Sequence, residues 1–307
     1  MFSITVVSTS VAGVAFLILG LIVVRKELAA SFGLEKLIVL GPVFVAASLA
    51  TFAAEHFAAA RGIAQLVPAW MPWHLFWTYF FGVALLLAAL SFDLKKCEGW
   101  SAPLLALMFL IFVLTMDLPG AISEPKNRFN WILLCREISF GTGGLALTAV
   151  TLRERRVQLS HTLAHVCRVV AGSVFIFYGI ENILHPECVL GVPLEKLMPA
   201  WVLSPRSWAW TAGLVLIAAG TALLLNRKAR LAAALVGLEM TLLTVLLYVP
   251  ILAMDRGTGQ LVEGINYVFD TLLFAGTALL IARAMPHEQA VPQRLKPDLI
   301  RTPLRHD

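Results

Sequence analysis

Nine ionisable residues of this 307-residue chain fall inside or at the ends of long apolar runs: Glu55, His56, Asp117, Arg136, Glu137, Glu181, His185, Glu239 and Asp270. A charged group near the middle of a membrane helix costs about 2.5 kcal/mol or more, so a chain retains one there to bind a ligand, to relay a proton or to lock helices together. Carboxylates and imidazoles can do all three. The plainer role is weighed beside the chemical one throughout.

Glu181 and His185 are four residues apart, hence on one helix face, and such a pair could shuttle a proton or hold a cation. An ion pair at the membrane interface is the plainer reading and the preferred one. Arg136 and Glu137 are adjacent and are expected to face different ways, so Arg136 is assigned Asp117 or Glu55 as its partner across the helices. Locking helices and serving a ligand are equally good roles for it. Glu239 occupies the deepest position and needs either a partner or a proton. His161 and His165 have metal-ligand spacing, but no third ligand is evident, and no metal is assigned. Haem b would need axial histidines that face each other, and His56 with His185 is the only pair at similar depth. The cysteines Cys97, Cys135, Cys167 and Cys188 contain no CxxC pair. A Cys135–Cys188 disulfide is conceivable on the outer side.

These residues must be positioned by membrane helices. The chain is 59% hydrophobic and 14% charged, with mean hydropathy +0.82, against about 25% charged in soluble domains. Such a chain needs lipid as its solvent. Nine runs are long enough to span: 4–24, 37–60, 73–94, 101–118, 131–152, 165–184, 208–225, 231–252 and 263–284. The first runs straight into Arg25-Lys26-Glu27 and reads as a retained helix rather than a cleaved signal. With the N-terminus outside, 17 basic residues fall on inner segments and 6 on outer ones. That asymmetry puts the C-terminus in the cytoplasm and suggests an inner (plasma) membrane location. The net charge of +5 is this bias and not a nucleic-acid surface. Residues 286–307 are rich in proline and charge and are expected to be a disordered cytoplasmic tail. Eight of the nine ionisable residues then gather toward the outer leaflet, where they could line an outward-facing polar pocket.

Two stretches of the chain are alike. Leu66-Val67-Pro68-Ala69-Trp70 recurs as Leu197-Met198-Pro199-Ala200-Trp201, and the same 131-residue offset takes Trp77 to Trp208, Gly82 to Gly213 and Pro119 to Pro250. Upstream, Ala54-Glu55-His56-Phe57 has a looser partner in Ile180-Glu181-Asn182-Ile183, which leaves five extra residues in the second connection. Phe140-Gly141-Thr142 approximates Phe274-Ala275-Gly276-Thr277. The expected organisation is an N-terminal helix (1–36), two parallel four-helix units (37–156 and 157–285) and the tail (286–307). The Pro- and Trp-rich segments Arg61–Pro72 and Pro186–Pro205 read as interfacial aromatic belts or as lids over a pocket.

His56-Phe57, Val67-Pro68-Ala69-Trp70-Met71-Pro72-Trp73-His74-Leu75, Tyr79 and Gly82 resemble the signature of the DoxX family of small four-helix membrane proteins. The first unit carries the pattern more fully. The second keeps Pro199, Trp201 and Gly213, with Ile183 in place of the phenylalanine. The glutamates that often follow the family glycine are absent, since Val83-Ala84 and Leu214-Val215 stand there. The resemblance implies a redox-associated membrane subunit, of the kind found in membrane oxidoreductase complexes, that binds a quinone or a small sulfur compound or docks a periplasmic or membrane redox partner. Two other classes compete with it: a proton-coupled transporter of small solutes, and an assembly protein without catalysis.

Overall fold

The computed structural model describes residues 3–191, 196–254 and 257–286. Among them are nine helices long and apolar enough to cross a membrane: α1 (Ile4–Ala30), α2 (Leu34–Ala58), α3 (His74–Leu94), α4 (Glu98–Ser123), α5 (Arg128–Leu152), α6 (Val157–Leu184), α7 (Pro205–Leu224), α8 (Ala229–Met254) and α9 (Gly259–Ala284). The chain is an all-α, multi-pass membrane protein. All nine expected runs are helices, and most outlast their apolar stretch. The α6 helix starts at Val157 because Gln158, His161 and Thr162 carry no backbone signal that stops a helix. The expected tail lies almost wholly outside the described residues.

Left-handed residues stand at or beside the ends of α3, α4, α7 and α8. Trp73, Lys95, Cys97, Ser204, Asn226 and Lys228 have φ between 50° and 61°, a region that non-glycine residues adopt only where the surrounding structure demands it. These six form three pairs, 73 with 204, 95 with 226 and 97 with 228, each 131 residues apart. The same spacing separates two π-helical turns, Val113–Asp117 in α4 and Thr244–Tyr248 in α8. Each turn sits two residues before a proline, Pro119 or Pro250.

The packing joins elements across the two halves. The first helix of each half lies along the second, α2 on α3 and α6 on α7, and the third along the fourth, α4 on α5 and α8 on α9. The first helix of each half also packs on the fourth helix of the other, α2 on α9 and α6 on α5, and α5 packs on α9 at the centre. The units therefore interleave and do not close as two separate bundles. The physical reason is close approach at small residues. A methyl placed at Gly276 of α9 would lie 2.9 Å from the Gly41 carbonyl oxygen of α2, and without a hydrophobic force between helices in lipid such contacts dominate association. The α1 helix lies against α2, and its residues Val11, Val14, Ile18 and Ile22 are exposed to lipid.

Candidate functional site

The cavity at the end of the bundle where α2 finishes and α3 begins has a volume of about 680 Å³. It is within the usual size range of a small-molecule site. Its polar residues arrive on helix faces at spacings of three, four and seven. Glu55 and His56 project from α2 with Phe52 one turn below, Arg136 and Glu137 from α5 between Leu133 and Phe140, and Glu263, Asn266, Tyr267 and Asp270 from α9. Asp117 belongs to the π turn of α4, whose Thr115 and Met116 also line the wall. A π turn adds a residue to the helical turn and so re-aims the side chains in it. The remaining wall is apolar and includes Phe81, Phe109 and Phe112. Ile63, Leu66, Val67, Pro68 and Met71 cover it from the connection between α2 and α3. Trp70 and Trp73 of that connection point outward and are 70% and 77% exposed. The connection thus covers the cavity with one side and exposes its tryptophans on the other.

Arg136 organises the charges. Its Nη1 donates to Asp270 Oδ2 at 2.9 Å and its Nη2 to Glu137 Oε1 at 3.0 Å. The expected partners Asp117 and Glu55 are not the ones it bonds. Nor do Arg136 and Glu137 face apart. Adjacent helix positions are separated by only about 100°, and both long side chains bend toward the same cavity. Glu55 Oε1 accepts from Asn266 Nδ2 at 3.1 Å, and Glu263 Oε1 from the Tyr267 hydroxyl at 2.6 Å. His56 Nδ1 lies 2.8 Å from the Phe52 carbonyl oxygen. A carbonyl can only accept, so Nδ1 carries the proton and Nε2 is left as an acceptor. Asp117 Oδ2 and Asn266 Oδ1 are buried and accept no hydrogen bond from the described residues. The lining holds five carboxylates against one guanidinium, and that guanidinium already bridges two of them.

Six of the nine ionisable residues singled out from the sequence meet in this cavity. The other three do not. Glu181 pairs with Arg128 at 3.2 Å, and His185 stands 3.9 Å from Glu181 and 3.4 Å from Glu187. The exposed Glu187 carboxyl is held below its usual range, first by its own backbone amide. His56 and His185 thus belong to separate clusters and do not face one another across a haem-sized gap. Glu239 lies on α8 with Oε2 buried and without a hydrogen-bond partner among the described residues. His165 Nδ1 lies 3.0 Å from Arg168 Nη2, and no group of three or more His, Cys, Asp or Glu among the described residues is placed to hold a metal ion. Cys135 and Cys188 are both free thiols.

Sequence reasoning missed Glu263, Asn266 and Tyr267. Their spacing ahead of Asp270 on one face of α9 was the available signal. It also missed Asp93, which is 1% exposed near the opposite end of the bundle, with neither carboxylate oxygen hydrogen-bonded among the described residues. Gly20 of α1 makes room for it, since a methyl there would lie 2.4 Å from Asp93 Oδ1.

The motif positions support the cavity from behind. Phe57 stacks on Tyr79 at 6.3 Å, and Gly82 admits His56 and Phe57, where a methyl would meet the His56 Cβ at 2.9 Å. The Pro72 carbonyl accepts from Trp77 Nε1 at 3.0 Å. In the other half, Gly213 admits Gly179 and Ile183 in the same manner, and the Pro199 carbonyl accepts from the Val202 amide next to Trp201 at 3.0 Å.

The equivalent place in the second half is filled. Cys188, Val189 and Leu190 of the longer connection are buried. Tyr248, which stands 131 residues after Asp117, donates its hydroxyl to the Leu190 carbonyl at 2.6 Å. Asn182, 126 residues after His56, accepts from the Gly191 amide at 3.4 Å. Met240 and Leu243, the counterparts of Phe109 and Phe112, surround Gly191. The extra residues of the second connection therefore occupy the space that the first half keeps open.

The DoxX family model matches residues 163–249. That match spans most of α6 through most of α8, so it falls on the second half, whereas the signature residues are fuller in the first. No curated protein and no solved structure matches the chain.

Proposed function

We propose that this DoxX-like membrane protein is a redox-associated subunit that binds the hydroxyl-bearing ring of a quinol in the cavity between α2, α3, α4, α5 and α9. The observation that carries the proposal is the chemistry of the lining: aliphatic and phenylalanine walls beside a surplus of hydrogen-bond acceptors. Glu55, Asp117, Glu137 and the Nε2 of His56 can accept from a ligand. A ring with two hydroxyl donors and no charge matches such a lining. A sulfur oxyanion does not, because five carboxylates face a single guanidinium already engaged by Asp270 and Glu137. Of the two ligand classes that the family resemblance implies, the quinone class is therefore the one adopted. When a quinol is oxidised, its two hydroxyl protons would pass to these carboxylates and its two electrons to an acceptor on a partner subunit.

The basic-residue asymmetry supports an orientation with the cavity on the outer side of a plasma membrane. Tandem duplication explains why the space under the α2–α3 connection is open while the corresponding space beside Leu190 and Tyr248 is filled. The recurrence of left-handed caps and π turns at one spacing supports it. So does the central pairing of Arg136 with Asp270 and of Gly143 with Thr277, both 134 residues apart, as expected for contacts across a two-fold axis between α5 and α9. After duplication one copy kept its pocket and the other closed it. A second reading, proton-coupled transport of a small cation, draws on the same excess of carboxylates.

The test is quinol binding to purified protein in detergent, with Asp117→Asn beside the native chain. A hydrogen bond to a charged group contributes about 1.5–3 kcal/mol, so the variant should bind about tenfold or more weakly. Lack of binding by the native protein, together with proton-coupled uptake of an ammonium compound into vesicles, would overturn the quinol reading in favour of transport.

A further inference from the structure

A second void lies beside the first. It is an apolar groove of about 710 Å³ formed by α3, α4 and the short connection between them. On α3 it is lined along one face, by Phe80, Ala84, Leu87, Ser91 and Leu94, and on α4 Leu104, Met108 and Ile111 oppose them. At a rise of 1.5 Å per residue, the stretch from Phe80 to Leu94 is about 20 Å long. Its outer edge is open to lipid, since Leu87 and Leu104 are 60% and 59% exposed. The groove adjoins the polar cavity, and Phe81 and Ile111 line both. Phe81 packs edge-on against Phe112 at 4.7 Å and is the partition between the two spaces.

We infer, on the basis of the quinol site proposed above, that the α3–α4 groove holds the long apolar tail of the same ligand, which enters sideways from the bilayer between these two helices. The ring passes Phe81 into the acceptor-lined cavity, and the tail remains along Leu87 and Leu104. A lipid-soluble amphiphile with a long tail is the substrate class, and a small water-soluble ring compound is not. A bulk phospholipid chain is the competing occupant. It would fill the groove with no link to the cavity.

The experiment titrates the full-length protein with ubiquinol carrying a ten-carbon tail and with the same ring lacking the tail, following tryptophan fluorescence. Burial of two methylenes alone is worth about tenfold in affinity, so the native protein should prefer the tailed compound by at least that factor. Leu87→Trp and Ala84→Trp, which fill the groove at an exposed and a half-buried position, should bring the ratio of the two affinities toward one. Asp117→Asn should weaken both ligands and keep the ratio. Equal affinities in the native protein, or an undiminished ratio in both groove variants, would overturn the inference and assign the groove to bulk lipid while leaving the ring site standing. If neither compound binds, the quinol site itself fails and the tail site with it.

Discussion

Arg136 is the residue on which the cavity's charge balance rests. It bridges Asp270 of α9 and Glu137 of its own helix, and all three side chains are largely shielded from solvent. Two effects of different size are at issue. An interhelical hydrogen bond in a membrane protein contributes about 0.6 kcal/mol on average and at most about 1.7. Removing one partner of a buried ion pair and leaving the other charge uncompensated costs about 3–5 kcal/mol. Arg136→Met should therefore destabilise the fold by about 3 kcal/mol or more, measured as reversible unfolding in mixed micelles. The double variant Arg136→Met with Asp270→Leu should recover part of that loss. A single-variant loss below about 1.5 kcal/mol would mean that the arginine contributes a neutral hydrogen bond's worth and that the pair is not charged. The pairing was only half legible in the sequence. That Arg136 needs an acidic partner across the helices was readable, but spacing wrongly set Glu137 apart from it, and the choice of Asp270 over Asp117 and Glu55 depends on α5 packing against α9, which no local pattern encodes.

At the scale of elements, the helices are held by near contact of backbone with backbone. On α6 and α7 two glycine pairs face each other, Gly172 with Gly220 and Gly179 with Gly213. A methyl at Gly179 would lie 2.7 Å from the Gly213 carbonyl oxygen, and one at Gly213 would lie 2.6 Å from that of Gly179. Backbone cannot move aside as a side chain can, so overpacking here should cost about 1–3 kcal/mol. Gly179→Ala is expected to lower the thermal midpoint clearly, whereas Gly62→Ala, with nothing within 4 Å of its new methyl, should leave it almost unchanged. Equal midpoints for the two variants would show that α6 and α7 are not in this close register. The same scale explains the π turns. Each precedes a proline, Pro119 or Pro250, whose ring cannot donate a backbone hydrogen bond. In α4 the resulting turn places Asp117 in the cavity wall. In α8 the equivalent Tyr248 seals the second half by bonding to Leu190.

For the whole molecule, the orientation proposed from loop charge can be tested on a residue the chain already has. Cys97 is the only exposed thiol among the four cysteines, and it lies in the connection between α3 and α4, beside Lys95 and Lys96. In intact cells a membrane-impermeant maleimide should leave Cys97 unlabelled, and permeabilisation should expose it. A Cys97→Ser chain with a new cysteine at Lys126 should show the reverse. Labelling of Cys97 from outside would invert the topology and turn the cavity toward the cytoplasm. The interleaving of the halves bears on the same scale. Because α2 rests on α9 and α6 on α5, neither half buries its first helix without the other.

The chain's hydropathy by itself determined the membrane helices, nine of them among the described residues, because an apolar run of about 20 residues satisfies its backbone in lipid only as a helix and matches the bilayer thickness. The presence of ionisable residues in apolar runs also picked out six of the cavity's side chains in advance. Tertiary structure alone decided that the six converge while Glu181, His185 and Glu239 stay apart. It also decided that the halves interleave, and that one pocket is open and the other plugged. The reason is physical. Membrane helices of similar apolarity have no strong preference for one neighbour over another, so their partners are chosen by where small residues let two backbones approach and where a single loop, five residues longer, finds space to fold inward.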